Sequence, residues 1–169
     1  MRAWLLVLSV SVLLGSCASV ARLDAAGDVH ALLVAVRDDD QAAFDAHVDR
    51  AALTGQLQKV ITEQLKKAQK FKGLDSLAAL LAQPLAQEVA DRLLQPELFL
   101  FAARQFGYDP SKPMPDRLTI AGSLRAVDDQ TVCAAKSKSS ACALIFHKSD
   151  GVWRLSGFGP DAQIDGEVR

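Results

Sequence analysis

The chain has 169 residues, with 19 basic against 20 acidic side chains and a formal net charge of −1. That balance argues against a nucleic-acid binder, whose domain would carry a clear basic excess. Half of the residues are hydrophobic, enough to bury one core of ordinary domain size.

The amino terminus reads as a targeting segment. Arg2 precedes the apolar run from Ala3 to Leu14, which is shorter than the roughly 20 residues a membrane-spanning helix needs and has the length of a signal-peptide core. Leu14-Gly15-Ser16-Cys17 follows at once. This tetrad resembles the lipobox of bacterial lipoproteins, and the resemblance implies cleavage before Cys17, lipidation of its thiol and acylation of the new amino terminus. Two or more acyl chains hold a protein stably at a bilayer, where one holds it only marginally. Alanine at position 18, in place of aspartate, points to the outer membrane over the inner. An ordinary secretory signal cut after Ser19-Val20-Ala21 is the alternative. Removing residues 1–16 takes away Arg2 alone among charged groups, leaving 153 residues with 18 basic and 20 acidic side chains.

Residues 17–27 are expected to form a linker, 28–160 a single α+β domain, and 161–169 a tail. A first helix is predicted from Asp28 to Arg37, too continuously apolar over 31–36 for a one-sided stripe. Asp38-Asp39-Asp40 opens a short second helix through Phe44 and His47, with Asp39 or Asp40 as its cap. Three consecutive carboxylates diverge, so capping is preferred to cation binding. Asp49 caps a third helix with Leu53, Leu57, Val60, Ile61 and Leu65 on one face, ending at Gly73. A fourth begins near Asp75 and is interrupted at Pro84. A fifth starts at Pro96 and ends at Gly107, although Leu98-Phe99-Leu100-Phe101 could also be a strand.

After a proline-rich linker over 108–115, the pattern changes to period two. Leu118, Ile120 and Leu124 alternate with Arg117, Thr119, Ser123 and Arg125 as a first strand. Further strands are predicted over 130–134, 142–147 and 152–158, the last directing Trp153 and Leu155 to one side and Arg154 and Ser156 to the other. Lys148-Ser149-Asp150-Gly151 makes the final hairpin turn. About five helices followed by an antiparallel meander of three to four strands give an α+β fold. The same order loosely resembles cone-shaped nuclear-transport-factor-like domains. The strand at 142–147 is apolar on both sides, so Ile145, Phe146 and Trp153 are candidates for an apolar groove, against the alternative of a strand covered twice.

With Cys17 acylated, Cys133 and Cys142 remain as one pair flanking a polar loop. An oxidising compartment allows them to bridge, contributing roughly 2–3 kcal/mol; two free thiols in neighbouring strands are the alternative. No His, Cys, Asp or Glu pattern calls for a metal or cofactor, and neither a nucleophile elbow nor a phosphate-binding glycine loop is present. His30, His47 and His147 are isolated in sequence. Lys66, Lys67, Lys70 and Lys72 read first as a solvated helix end and second as a contact with anionic lipid.

Val48-Asp49 leading into Leu53…Gln56-Leu57 is similar to the Val-Asp-Phe-Pro-Ala-Leu…Gln-Leu signature of a bacterial family of exported or membrane-anchored proteins of unknown function, with Arg50-Ala51 in place of its aromatic and proline. Gly151-Val152-Trp153-Arg154-Leu155 resembles that family's closing Gly-x-x-Trp-Arg-Leu hairpin. The resemblance implies fold and location, over about 28–160, and no chemistry. The expected function is a non-enzymatic binding or interaction module on the periplasmic face of the envelope, held by its lipid and meeting a protein partner there. An immunity-type inhibitor of a periplasmic toxin is the second reading, and an envelope-acting enzyme the third.

Overall fold

A computed structural model of the chain describes residues 2–68, 87–89, 91–105, 109, 111–135, 137 and 139–159. Its elements are helices α1 (Arg2–Asp38), α2 (Gln41–Ala46), α3 (Arg50–Ala68), α4 (Pro96–Gln105) and α5 (Arg117–Ser123), then strands β1 (Leu124–Ala126), β2 (Thr131–Ala134), β3 (Leu144–Ser149) and β4 (Val152–Phe158). Residues 87–89 and 91–93 are also helical. Most of the expected fourth helix, including Pro84, and the end of the third at Gly73 lie outside the described residues.

The expected α+β order holds, with one four-stranded antiparallel sheet in the order β1-β2-β3-β4. Two assignments change. Residues 17–27 are not a linker: α1 is a single helix of 37 residues that runs through them. Ala21, Ala25 and Ala26 in this stretch are buried. Small side chains at a spacing of four let a helix pack closely against its neighbours while contributing little to a hydropathy profile.

The second change is at Arg117–Ser123, predicted as a strand and observed as α5. The Asp116 carboxylate accepts the Thr119 backbone N–H at 2.7 Å, which caps the helix at its first turn. Ile120 and Ala121 are buried, while Leu118 is 74% exposed. A strand would have put Leu118 beside Ile120 on one face; a two-residue step on a helix sends them to different sides. Of the predicted strand only its end, Leu124 and Arg125, is in β1.

The connection between α1 and α2 is built from the three aspartates. Asp39 has a positive φ of 55°, the backbone N–H of Asp40 reaches back to the Ala35 carbonyl at 2.9 Å, and Asp40 Oδ1 takes the Ala43 N–H at 3.0 Å. The triplet therefore ends one helix and starts the next. Asp49 does the same for α3 through the Ala52 N–H at 3.0 Å.

α1 packs on one face of the sheet and against α2, α4 and α5. Val132, Phe146 and Leu155 form a cross-strand row on that face, and all three are buried with Trp153. Pairing slips between Ile145 and Phe146, so Leu155 faces Phe146 while Gly157 faces Ile145. Ser156 is the extra residue of a bulge, and the bulge restores Phe158 to the core side. Phe158 stands 6.3 Å from the Phe99 ring, which meets Phe44 edge-on at 5.1 Å. Leu98-Phe99-Leu100 thus belong to a helix, and Phe99 serves the core from it.

The outer edge of β4 is closed in two ways. The segment before α3 adds a parallel bridge, with Leu155 N–H donating to the His47 carbonyl and Asp49 N–H to the Leu155 carbonyl, both at 2.9 Å. Further along, the Gln56 amide imitates a strand: it donates to the Phe158 carbonyl and accepts the Phe158 N–H, each at 2.8 Å. An edge so occupied offers no template for another chain along these residues. The β3–β4 turn is a two-residue loop with Asp150 at φ 52° and Gly151 at φ 80°, the conformation that matches strand twist and favours Asp-Gly.

Candidate functional site

Asp24 and Asp28 lie one helical turn apart on α1, so their carboxylates share a face. That face meets the β3–β4 hairpin. Asp28 Oδ2 accepts the Trp153 backbone N–H at 2.8 Å. Asp24 Oδ2 accepts both the Trp153 indole N–H, at 3.0 Å, and the Lys148 ammonium, at 2.6 Å. The same ammonium stands 5.7 Å from the centre of the Trp153 ring. The Lys148 hydrogen bond, then that of Trp153, holds the Asp24 carboxyl below the usual carboxylate range, against a smaller opposing effect of burial. Trp153 is 1% exposed, and both its N–H groups are satisfied by one helix.

His47 closes the cluster from the end of α2. Its Nδ1 lies 2.9 Å from the Ala43 carbonyl, which can only accept, so that nitrogen carries the hydrogen. Its Nε2 then faces Asp28 Oδ1 at 3.5 Å, a contact that becomes an ion pair only with the ring doubly protonated. Asp24 Oδ2 and Asp28 Oδ2 both accept from the hairpin, and with His47 beside Asp28 the cluster is a clasp between α1, α2 and the hairpin. Sequence reading missed it because its members come from three distant segments; the spacing Asp24-x-x-x-Asp28 was the only local signal.

Arg50, at the aromatic position of the signature noted above, is a second tie. It donates to Asp45 Oδ1 at 2.6 Å and to the Leu94 carbonyl at 2.8 Å, joining the start of α3 to the chain before α4.

The proposed apolar groove does not assemble. Phe146 and Trp153 are 2% and 1% exposed in the core, whereas Ile145 faces the opposite side of the sheet beside Gly157. The three side chains therefore do not share one face of the sheet. An open groove of about 560 Å³ lies elsewhere, lined by Ala18 and Arg22 of α1, Ser123 at the end of α5, Arg125 and Ala126 of β1, and Ser137. His30, His47 and His147 are not among its lining residues. His147 Nδ1 is 3.4 Å from Thr131 Oγ1. Among the described residues no three His, Cys, Asp or Glu side chains converge as metal ligands do.

Cys133 and Cys142 are joined in a disulfide with Cα atoms 5.6 Å apart. Cys133 sits at the centre of the sheet's outer face, paired across strands with Arg125 and Ile145. Cys17 lies within α1; the side chains of Lys66, Lys67, Lys70 and Lys72 fall outside the described residues.

Comparison with known proteins gives one family. The model of a family described as Protein of unknown function (DUF2939) matches residues 10–100, which takes in most of α1, all of α2 and α3 and the first half of α4, and stops before the hairpin of Gly151 to Leu155. No curated protein matches. No solved structure matches.

Proposed function

We infer that this chain, which belongs to the DUF2939 family of proteins of unknown function, is an exported lipoprotein acylated at Cys17 whose domain is a non-enzymatic interaction module at the periplasmic face of the outer membrane. The observation that carries this reading is the distance between the anchor residue and the core. Ala21 is buried only four positions after Cys17, and Asp24 is already clasped to the hairpin. At about 1.5 Å per helical residue, the domain would begin roughly 6 Å along α1 from the lipid. A tether that short fixes which face of the domain meets the bilayer and which is offered to a partner. The Asp24 and Asp28 carboxylates are engaged in holding α1 to the hairpin, which supports a role in the fold over one in chemistry.

Subcellular fractionation tests the anchor: the native protein should leave membranes only with detergent, and the Cys17→Ser variant should appear in the wrong compartment or accumulate unprocessed. In-cell crosslinking followed by purification tests the module, with one recurrent protein partner expected. Repeated recovery of the protein alone, or release of the native form by salt, would count against the reading.

A further inference from the structure

The outer face of the sheet places a guanidinium directly on the disulfide. Arg125 pairs across strands with Cys133, and its Nη2 lies 3.1 Å from Cys142 Sγ and 3.5 Å from Cys133 Sγ. Its Nη1 donates to the Ser140 carbonyl at 3.2 Å, which holds the side chain along the loop that the bridge closes. The two cysteines differ in burial: Cys133 is fully buried, and Cys142 is partly exposed. A purely structural bridge needs no cation beside it, because a disulfide is neutral. A thiolate does, and a neighbouring Arg favours that state.

We propose that Cys133–Cys142 is a thiol–disulfide exchange site, reduced by a dithiol-bearing redox protein, with Arg125 stabilising the sulfur anions released. The incoming thiolate attacks Cys142 Sγ, which belongs to the less buried residue of the two. A sulfur–sulfur bond forms there as the bond to Cys133 breaks, and the electron pair leaves on Cys133 Sγ beside the guanidinium. The second thiolate of the reductant then attacks its own sulfur in the mixed disulfide and expels Cys142 as a thiolate, 3.1 Å from the same nitrogen in the starting geometry. Two electrons pass to the domain, and the reductant leaves as a disulfide. Arg125 stabilises both leaving groups directly.

The inference is independent of the acylation of Cys17. Its test uses the full chain in detergent, equilibrated with mixtures of reduced and oxidised glutathione, quenched by alkylation and read by mass. Arg125→Gln should make the bridge about tenfold harder to reduce, a displacement of about 30 mV for a two-electron couple. Arg125→Lys, which keeps the charge, should stay near the native value. Equal equilibrium constants for the native protein and Arg125→Gln, or equal displacement of both variants, would overturn the proposal. In the unsubstituted protein, the trapped mixed disulfide with glutathione should be found on Cys142; finding it on Cys133 would overturn the order of attack.

Discussion

The Asp28 carboxylate accepts the backbone N–H of Trp153 at 2.8 Å, joining positions 125 residues apart. The donor belongs to a residue 1% exposed, so its loss cannot be made good by water without opening the seam between α1 and the hairpin. Replacing Asp28 by Ala should therefore cost about 1–3 kcal/mol, the penalty for a buried donor left unpaired. Asp28→Asn, which keeps an acceptor, should cost less. Urea unfolding of the two variants beside the native protein checks the order.

Acid should loosen the same seam through Asp24. Its carboxyl is held below the usual range in the fold, first by Lys148 and then by Trp153. A group whose folded value is lowered stabilises fully above its unfolded value and loses that contribution as pH falls through the folded one. Stability should be flat from neutrality to about pH 5 as far as Asp24 is concerned, and decline below about pH 4. Lys148→Met should flatten that decline. Because Asp24 is half exposed, the effect is a modest one. Thermal unfolding between pH 3 and 7 in both proteins measures it.

The helical assignment of Arg117–Ser123 separates two leucine-like positions that a strand would treat alike. Ile120→Ala should cost about 2–4 kcal/mol, whereas Leu118→Ala should fall within about 0.5 kcal/mol of the native protein. Asp116→Ala, which removes the cap, should cost about 1 kcal/mol. Equal losses at 118 and 120 would restore the strand.

Asp39 holds a left-handed conformation at φ 55°, where glycine carries no side-chain penalty. Asp39→Gly should raise stability by up to about 1 kcal/mol. Asp40→Ala should lower it by a similar amount through the lost cap. Opposite signs at adjacent aspartates, read from denaturant midpoints, would show that the triplet is a helix junction.

The architecture was legible where side-chain pattern and backbone chemistry agree. The aspartates at 38–40 and Asp49 announced helix starts, Asp150-Gly151 the hairpin, and the alternation at Trp153 and Leu155 the buried face of β4. Misreadings came where one pattern fits two structures. Leu118 and Ile120 alternate as in a strand, yet Asp116 capping and the need to cover α1 make the segment helical. Ala21, Ala25 and Ala26 are too small to stand out by hydropathy, so a packed helix looked like a linker. The bulge at Ser156 and the Gln56 amide on Phe158 depend on tertiary register, which carries no local sign. The Cys133–Cys142 pair was readable from the cysteine count, but Arg125 beside it was not.

The central claim is that residue 17 carries lipid and that the domain begins at once behind it. Intact mass of the protein extracted from membranes tests this most directly. The account predicts a chain starting at Cys17 with the added mass of a diacylglyceryl group and an amide-linked acyl chain, absent from the Cys17→Ser variant. An unmodified chain, soluble and starting beyond Cys17, would contradict it.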